Sequence, residues 1–135
     1  MKAEWLDRSL ITGPFVCLCI TEAQFHQVLK GLGIPKADYP AFLCSGTADA
    51  SCHFVQNRKD KSTASIVTLR NAPKISKIQK YALLVHEAVH IWQEYRHGIG
   101  EKSPSAEFEA YSVQAISQKL MLAFDKLTAK KRATK

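Results

Sequence analysis

The sequence predicts an α+β fold: a small antiparallel sheet, made of a short N-terminal strand and a β-hairpin, packed on a central helix and a long C-terminal helix. Three observations predict it. Pro14-Phe-Val-Cys-Leu-Cys-Ile20, Ala50-Ser-Cys-His-Phe-Val-Gln56 and Thr63-Ala-Ser-Ile-Val-Thr-Leu69 are short runs rich in strand formers. Two later stretches, after Ser76 and after Ser103, repeat their apolar residues at helical spacing. Thr21-Glu-Ala-Gln24 and Ser76-Lys-Ile-Gln79 are capping boxes, in which a hydroxyl and a glutamine amide satisfy the first orphan backbone N–H groups of a helix.

Taken in order, Trp5-Leu6 and Leu10-Ile11 are consistent with a short helical turn or a pairing edge. The run ending at Ile20 reads as a buried strand, and Ile20 can staple onto Phe25 of the helix that follows. That helix carries Phe25, Val28, Leu29 and Leu32 and is stopped by Gly31 and Gly33 ahead of Pro35. Residues 35 to 50, with Pro35, Pro40 and Gly46, read as a loop with one short helical turn that covers part of the core through Tyr39, Phe42 and Leu43. The polar segment Asn57-Arg-Lys-Asp-Lys-Ser62 joins the two later strands as a hairpin.

The central helix, projected at 100° per residue, gathers Ile78, Tyr81, Ala82, Val85, Ala88, Val89 and Trp92 on one wide face, with Leu83 and Leu84 leaving few exposed positions. A largely buried helix is expected, ending near Arg96-His97-Gly98. The last helix is expected to open with Ser103 as N-cap and Pro104 at its first position, and its stripe runs through Ala106, Glu109 or Ala110, Val113, Ile116, Leu120, Phe124 and Leu127. A carboxylate on an apolar stripe needs a partner.

At 135 residues, with 46% hydrophobic and 23% charged residues, the chain can bury a core without disulfides or a structural metal. No apolar run approaches the roughly 18 residues of a membrane span, no secretory leader is legible, and cytoplasmic residence with no membrane association is the expectation. Cys17, Cys19, Cys44 and Cys52 lack C-x-x-C spacing and read as buried free thiols, with Cys17 and Cys19 on one face of a strand. The net charge of +7 is uneven: of 19 basic residues five lie in 126–135, where there is no acid. The reading is therefore one domain over 1–125 and a basic, disordered tail over 126–135, with at most a weak electrostatic contact to nucleic acid.

The chemistry concentrates in His86-Glu87-Ala88-Val89-His90. Histidines four apart on a helix lie one above the other, so both imidazoles can reach one metal ion with a carboxylate beside them. A catalytic zinc ion takes three protein ligands and keeps one position open for water. The metzincin spacing is excluded, because Gln93 and Arg96 stand where it needs a glycine and a histidine, and His97 would lie about 10 Å beyond His90 along a continuing helix. A glutamate from the next helix is the remaining source, and Glu107 and Glu109 stand in its first turns.

His86-Glu-Ala-Val-His90 followed by Glu107-Phe-Glu-Ala-Tyr111 resembles the gluzincin clan of zinc peptidases. Residues 14 to about 124 resemble, more closely, small phage- and prophage-associated metallopeptidases. The resemblance implies a zincin-like fold and a zinc-dependent peptidase acting on a peptide or protein substrate, with Zn2+ held by His86, His90 and Glu107 and with Glu87 as general base. The clan's E-x-x-A-D pattern places the ligand at Glu107, with Tyr111 where an aspartate normally orients a histidine; periodicity favours Glu109 instead. Tyr111, His97 and His53 are candidate oxyanion donors, and the strand Ser65 to Leu69 is a candidate edge for pairing with substrate backbone. A monomer is expected. The alternative is a catalytically inactive, zinc-binding, phage-type accessory or regulatory protein that binds a protein or nucleic-acid partner.

Overall fold

A computed structural model describes Glu4 and residues 13 to 130; the Trp5 to Ile11 motif and the last five tail residues lie outside the described residues. In chain order the elements are β1 (Phe15–Cys19), α1 (Glu22–Gly31), a 3-10 turn at Lys36–Asp38, β2 (Ala50–Gln56), β3 (Thr63–Leu69), α2 (Lys77–Gly98) and α3 (Ala106–Thr128). Both predicted capping boxes are formed. Thr21 Oγ1 accepts from Gln24 N at 3.1 Å, and Ser76 Oγ accepts from Gln79 N at 3.1 Å while Gln79 Oε1 accepts from Ser76 N at 2.9 Å. The predicted bounds of β2 and β3 coincide with the observed ones, because alternation and a polar connector fix both strand ends locally.

The sheet is mixed, which corrects the antiparallel expectation. Its order is β1-β3-β2, with β2 antiparallel to β3 and β1 parallel to it, Phe15 facing Ala64 and Cys19 facing Thr68. The physical reason is the connection: a tight turn forces the β2–β3 hairpin to be antiparallel, whereas residues 20 to 62 leave β1 free to pair in parallel across α1 and β2.

Side-chain alternation sends each strand into two cores. Leu18, Val67 and Leu69 meet Leu84, Ala88 and Ile91 of α2 and Leu120 and Phe124 of α3. On the opposite face Cys19 and Ile66 meet Phe25 and Leu29 of α1, with Tyr39 and Phe42 of the loop closing over them. The layers are thus α1 with its loop, the sheet, and the α2–α3 pair.

Two details of the helices depart from prediction. The buried face of α2 is Lys80, Leu84, Glu87, Ala88, Ile91 and Trp92, about a quarter turn from the predicted stripe, and Ile78 is 76% exposed. The helix packs on the sheet along one side and on α3 along the next, so the residues that looked like one apolar face straddle α3 and solvent, and the helix is less buried than expected. The N-cap of α3 is Ser105, accepting from Phe108 N at 3.1 Å, two residues after the predicted Ser103. Its far end runs to Thr128, one residue past the Leu127 that ends the predicted stripe. Among the described residues no helix is long and apolar enough to cross a membrane, and all four cysteines are free thiols, but of the four expected to be buried only Cys19 is, Cys44 standing exposed in the loop before β2.

Candidate metal centre on the central helix

Ser76 starts α2 in a register that carries His86, Glu87 and His90 onto its β2 side. His86 and His90 are exposed, their rings stand edge to face at 4.8 Å, and their Nε2 atoms are 3.1 Å apart. A single ion about 2.1 Å from both nitrogens would see them at roughly 95°, compatible with tetrahedral coordination. His90 Nδ1 lies 3.2 Å from Gln93 Oε1, which can only accept, so in the neutral ring the proton sits on Nδ1 and Nε2 is left as an acceptor, taking the Nε2–H of His86 where a metal ion would replace that proton. Gln93 thereby does what the partner of a ligating histidine does: it fixes tautomer and ring orientation.

Glu87 is turned inward. It is 5% exposed, and burial pushes its carboxyl above the ordinary carboxylate range, against the opposing pull of His86 and His90. It borders, with His86, a hollow of about 680 Å³ floored by Ala50, Ile75, Ala82 and Leu83. A second hollow, of about 540 Å³, begins at His90 and is bordered by Phe54, Glu94, Arg96, His97 and Lys102. Ala50 and Phe54 are alternate residues of β2 on its α2 side, and Cys52 lies between them. Burial, followed by the negative charge of Glu87, pushes the Cys52 thiol up to about 12. The two hollows therefore follow β2 past the histidine pair.

The edge available beside this site belongs to β2. β3, the expected pairing edge, is the central strand and is paired on both sides, which corrects that expectation. Of the three candidate oxyanion donors only His97 borders a hollow shared with a site histidine. His53 faces the other layer, where its Nε2 meets Phe42 O at 3.1 Å and Thr68 Oγ1 at 3.2 Å, and Tyr111 is 66% exposed on α3.

The structure brings together His86, Glu87 and His90; it does not bring a glutamate of α3 to them. Among the described residues no three His, Cys, Asp or Glu side chains converge as a metal site. Glu109 is instead held by Trp92, whose Nε1–H donates to its Oε2 at 2.9 Å, and Trp92 projects roughly 120–160° round α2 from the two histidines. The carboxylate on the apolar stripe has found its partner in an indole. Glu107, the expected ligand, is exposed in the same first turn. Sequence reasoning missed the Trp92–Glu109 bond because no local spacing signals a contact between helices; the Gln93 contact was within reach, since i,i+3 neighbours share a helix face.

Compared with family models, with curated proteins and with solved structures, the chain finds no match, so its reading rests on its own residues.

Proposed function

We propose that this chain is a zinc-dependent peptidase of zincin-like layout, hydrolysing peptide bonds in the cleft between α2 and the outer edge of β2, with His86 and His90 as metal ligands and Glu87 as general base. One observation carries the reading: two converging imidazole nitrogens 3.1 Å apart beside a buried carboxylate at the head of a hollow. The donor set fits zinc in its two histidines and lacks, in this arrangement, the third ligand; the reading keeps Glu107 for that place, because Glu109 is engaged by Trp92. Bound there, zinc would supply Lewis-acid activation of a water molecule and of the scissile carbonyl.

The chain's own residues do the rest. Glu87, with its proton affinity raised by burial, is suited to take a proton from water and return it to the departing amine. Gln93 keeps the His90 proton on Nδ1, leaving Nε2 as the acceptor. Among the described residues the outer edge of β2 carries no further strand, so an extended substrate could add one beside the site.

The test measures zinc content of the purified chain and its cleavage of an unfolded protein substrate. About one zinc per chain and cleavage abolished in Glu87→Gln are expected; cleavage that persists in Glu87→Gln, or no zinc uptake, overturns the reading. Because among the described residues no third donor stands beside the histidine pair, a second reading is kept, an inactive zinc-binding accessory protein of phage type with a protein or nucleic-acid partner. Zinc uptake without cleavage, and nucleic-acid binding lost on deleting residues 126 to 135, are its expected results.

A further inference from the structure

A second cluster of metal-ligating side chains lies on the other face of the sheet. β1 alternates between the two layers, so Leu18 enters the α2–α3 core while Cys17 and Cys19 both enter the α1 core. The two thiols are successive side chains on that face of the strand, both packed against the α1 core. Cys19 is 1% exposed, whereas Cys17 is half-buried and forms part of the wall of a hollow of about 260 Å³. Val28, Leu32 and Ile66 make that hollow apolar, and Asp60 and Ser62 add polar groups. Asp60 accepts from both the backbone N–H and the hydroxyl of Ser62, at 2.9 and 2.6 Å, which holds its carboxyl below the usual carboxylate range. A permanent negative charge thus stands where a cation would enter.

The chemistry of two sulfurs at this spacing is restrictive. Alternate residues of a strand are about 6.7 Å apart at Cα, at the outer limit of roughly 6.8 Å that a disulfide tolerates, so direct S–S closure is disfavoured and bridging by an ion is not. Two ligands are too few for zinc, which takes four, and thiolate sulfur selects soft cations over hard ones. The neighbouring Cys19 thiol holds the Cys17 thiol down, to about 7, while the same contact and burial push Cys19 up, so Cys17 is the thiol that gives up its proton more readily to an arriving ion.

We propose that Cys17 and Cys19 form a two-coordinate site for a soft monovalent cation of the copper(I) class, entered from the hollow beside Asp60 and independent of the histidine pair on the opposite face. Binding breaks two S–H bonds, forms two sulfur–copper bonds and releases two protons to solvent, with no change of oxidation state.

The test is an anaerobic titration of the full chain with copper(I) against a chromophoric copper(I) chelator, with X-ray absorption on the product. One tightly held equivalent with two sulfur neighbours is expected. Cys17→Ser, at the half-buried position, should weaken retention about tenfold or more, a response at least as large as losing the partner of a ligand. Cys19→Ala should do the same, with circular dichroism establishing that the fold is kept. The Cys44→Ser/Cys52→Ser and His86→Ala/His90→Ala pairs should retain the equivalent. Retention unchanged in Cys17→Ser, or lost in His86→Ala/His90→Ala, overturns the proposal, as does nitrogen in the first coordination sphere.

Discussion

Trp92 donates its indole N–H to Glu109 across 2.9 Å, and this bond closes the antiparallel pair of α2 and α3 at one end while Tyr81 and Asp125 close it at the other, at 2.5 Å. Trp92 is buried and stacks edge to face on Phe108 at 5.0 Å, while Glu109 is exposed, so the bond lies at the rim of the core where water can replace part of the lost acceptor. Glu109→Ala is expected to lower unfolding stability by about 0.5–1.5 kcal/mol in urea titrations. Glu107→Ala, at an exposed position, should stay within about 0.5 kcal/mol of the parent. Equal effects of the two substitutions would remove the clamp role.

Gln93 supports His90 without reaching the metal position, so its loss should be felt in affinity and hardly in folding. Gln93→Leu is expected to weaken zinc binding roughly 10- to 100-fold in a competition assay while the urea midpoint holds. His86→Ala or His90→Ala should abolish the zinc-dependent rise in stability, which for the parent is about 2.7 kcal/mol at a zinc concentration 100 times Kd.

Glu87 sets a pH dependence whose sign follows from burial. Its folded carboxyl keeps a proton to higher pH than the unfolded one, so the native state binds more protons in that window and stability falls as pH rises through it. Its protonated form therefore stabilises fully below the ordinary carboxylate range, and that contribution is lost as pH passes the raised folded value. Glu87→Gln should raise the urea midpoint at neutral pH, with the gain vanishing in acid. A midpoint that drops at neutral pH would contradict it.

His53 works in the opposite sense. Burial holds its imidazole below the ordinary histidine value despite the contact with Phe42 O. The unfolded state then binds more protons, so stability is present above the unfolded value and is lost as pH falls through the lowered folded one. Because His53 and Thr68 both hold the Phe42 carbonyl, protonation should loosen the 40–44 loop first, visible as faster hydrogen exchange there at mildly acid pH and absent in His53→Gln.

Ser76→Ala removes the hydroxyl that starts the motif helix and should reduce stability by about 0.5–2 kcal/mol in urea, with zinc affinity nearly unchanged because the histidines sit three turns further on. A loss of zinc affinity matching that of His86→Ala would show instead that the cap sets the site geometry.

What the sequence determined by itself is everything written in short-range contacts. The two capping boxes start α1 and α2, the polar 57–62 segment defines the β2–β3 hairpin, and i,i+4 spacing brings His86 onto His90; each depends on residues within a few positions of one another. Only the tertiary structure decided the rest. The parallel pairing of β1 depends on the path of residues 20 to 62, and the burial of Glu87 depends on the sheet and α3 meeting α2 on adjoining sides. The capture of Glu109 by Trp92 rather than by the histidine pair follows from which flank of α2 the last helix occupies. Periodicity reports that a helix has an apolar face; it carries no information on how many neighbours share that face or on which side they stand.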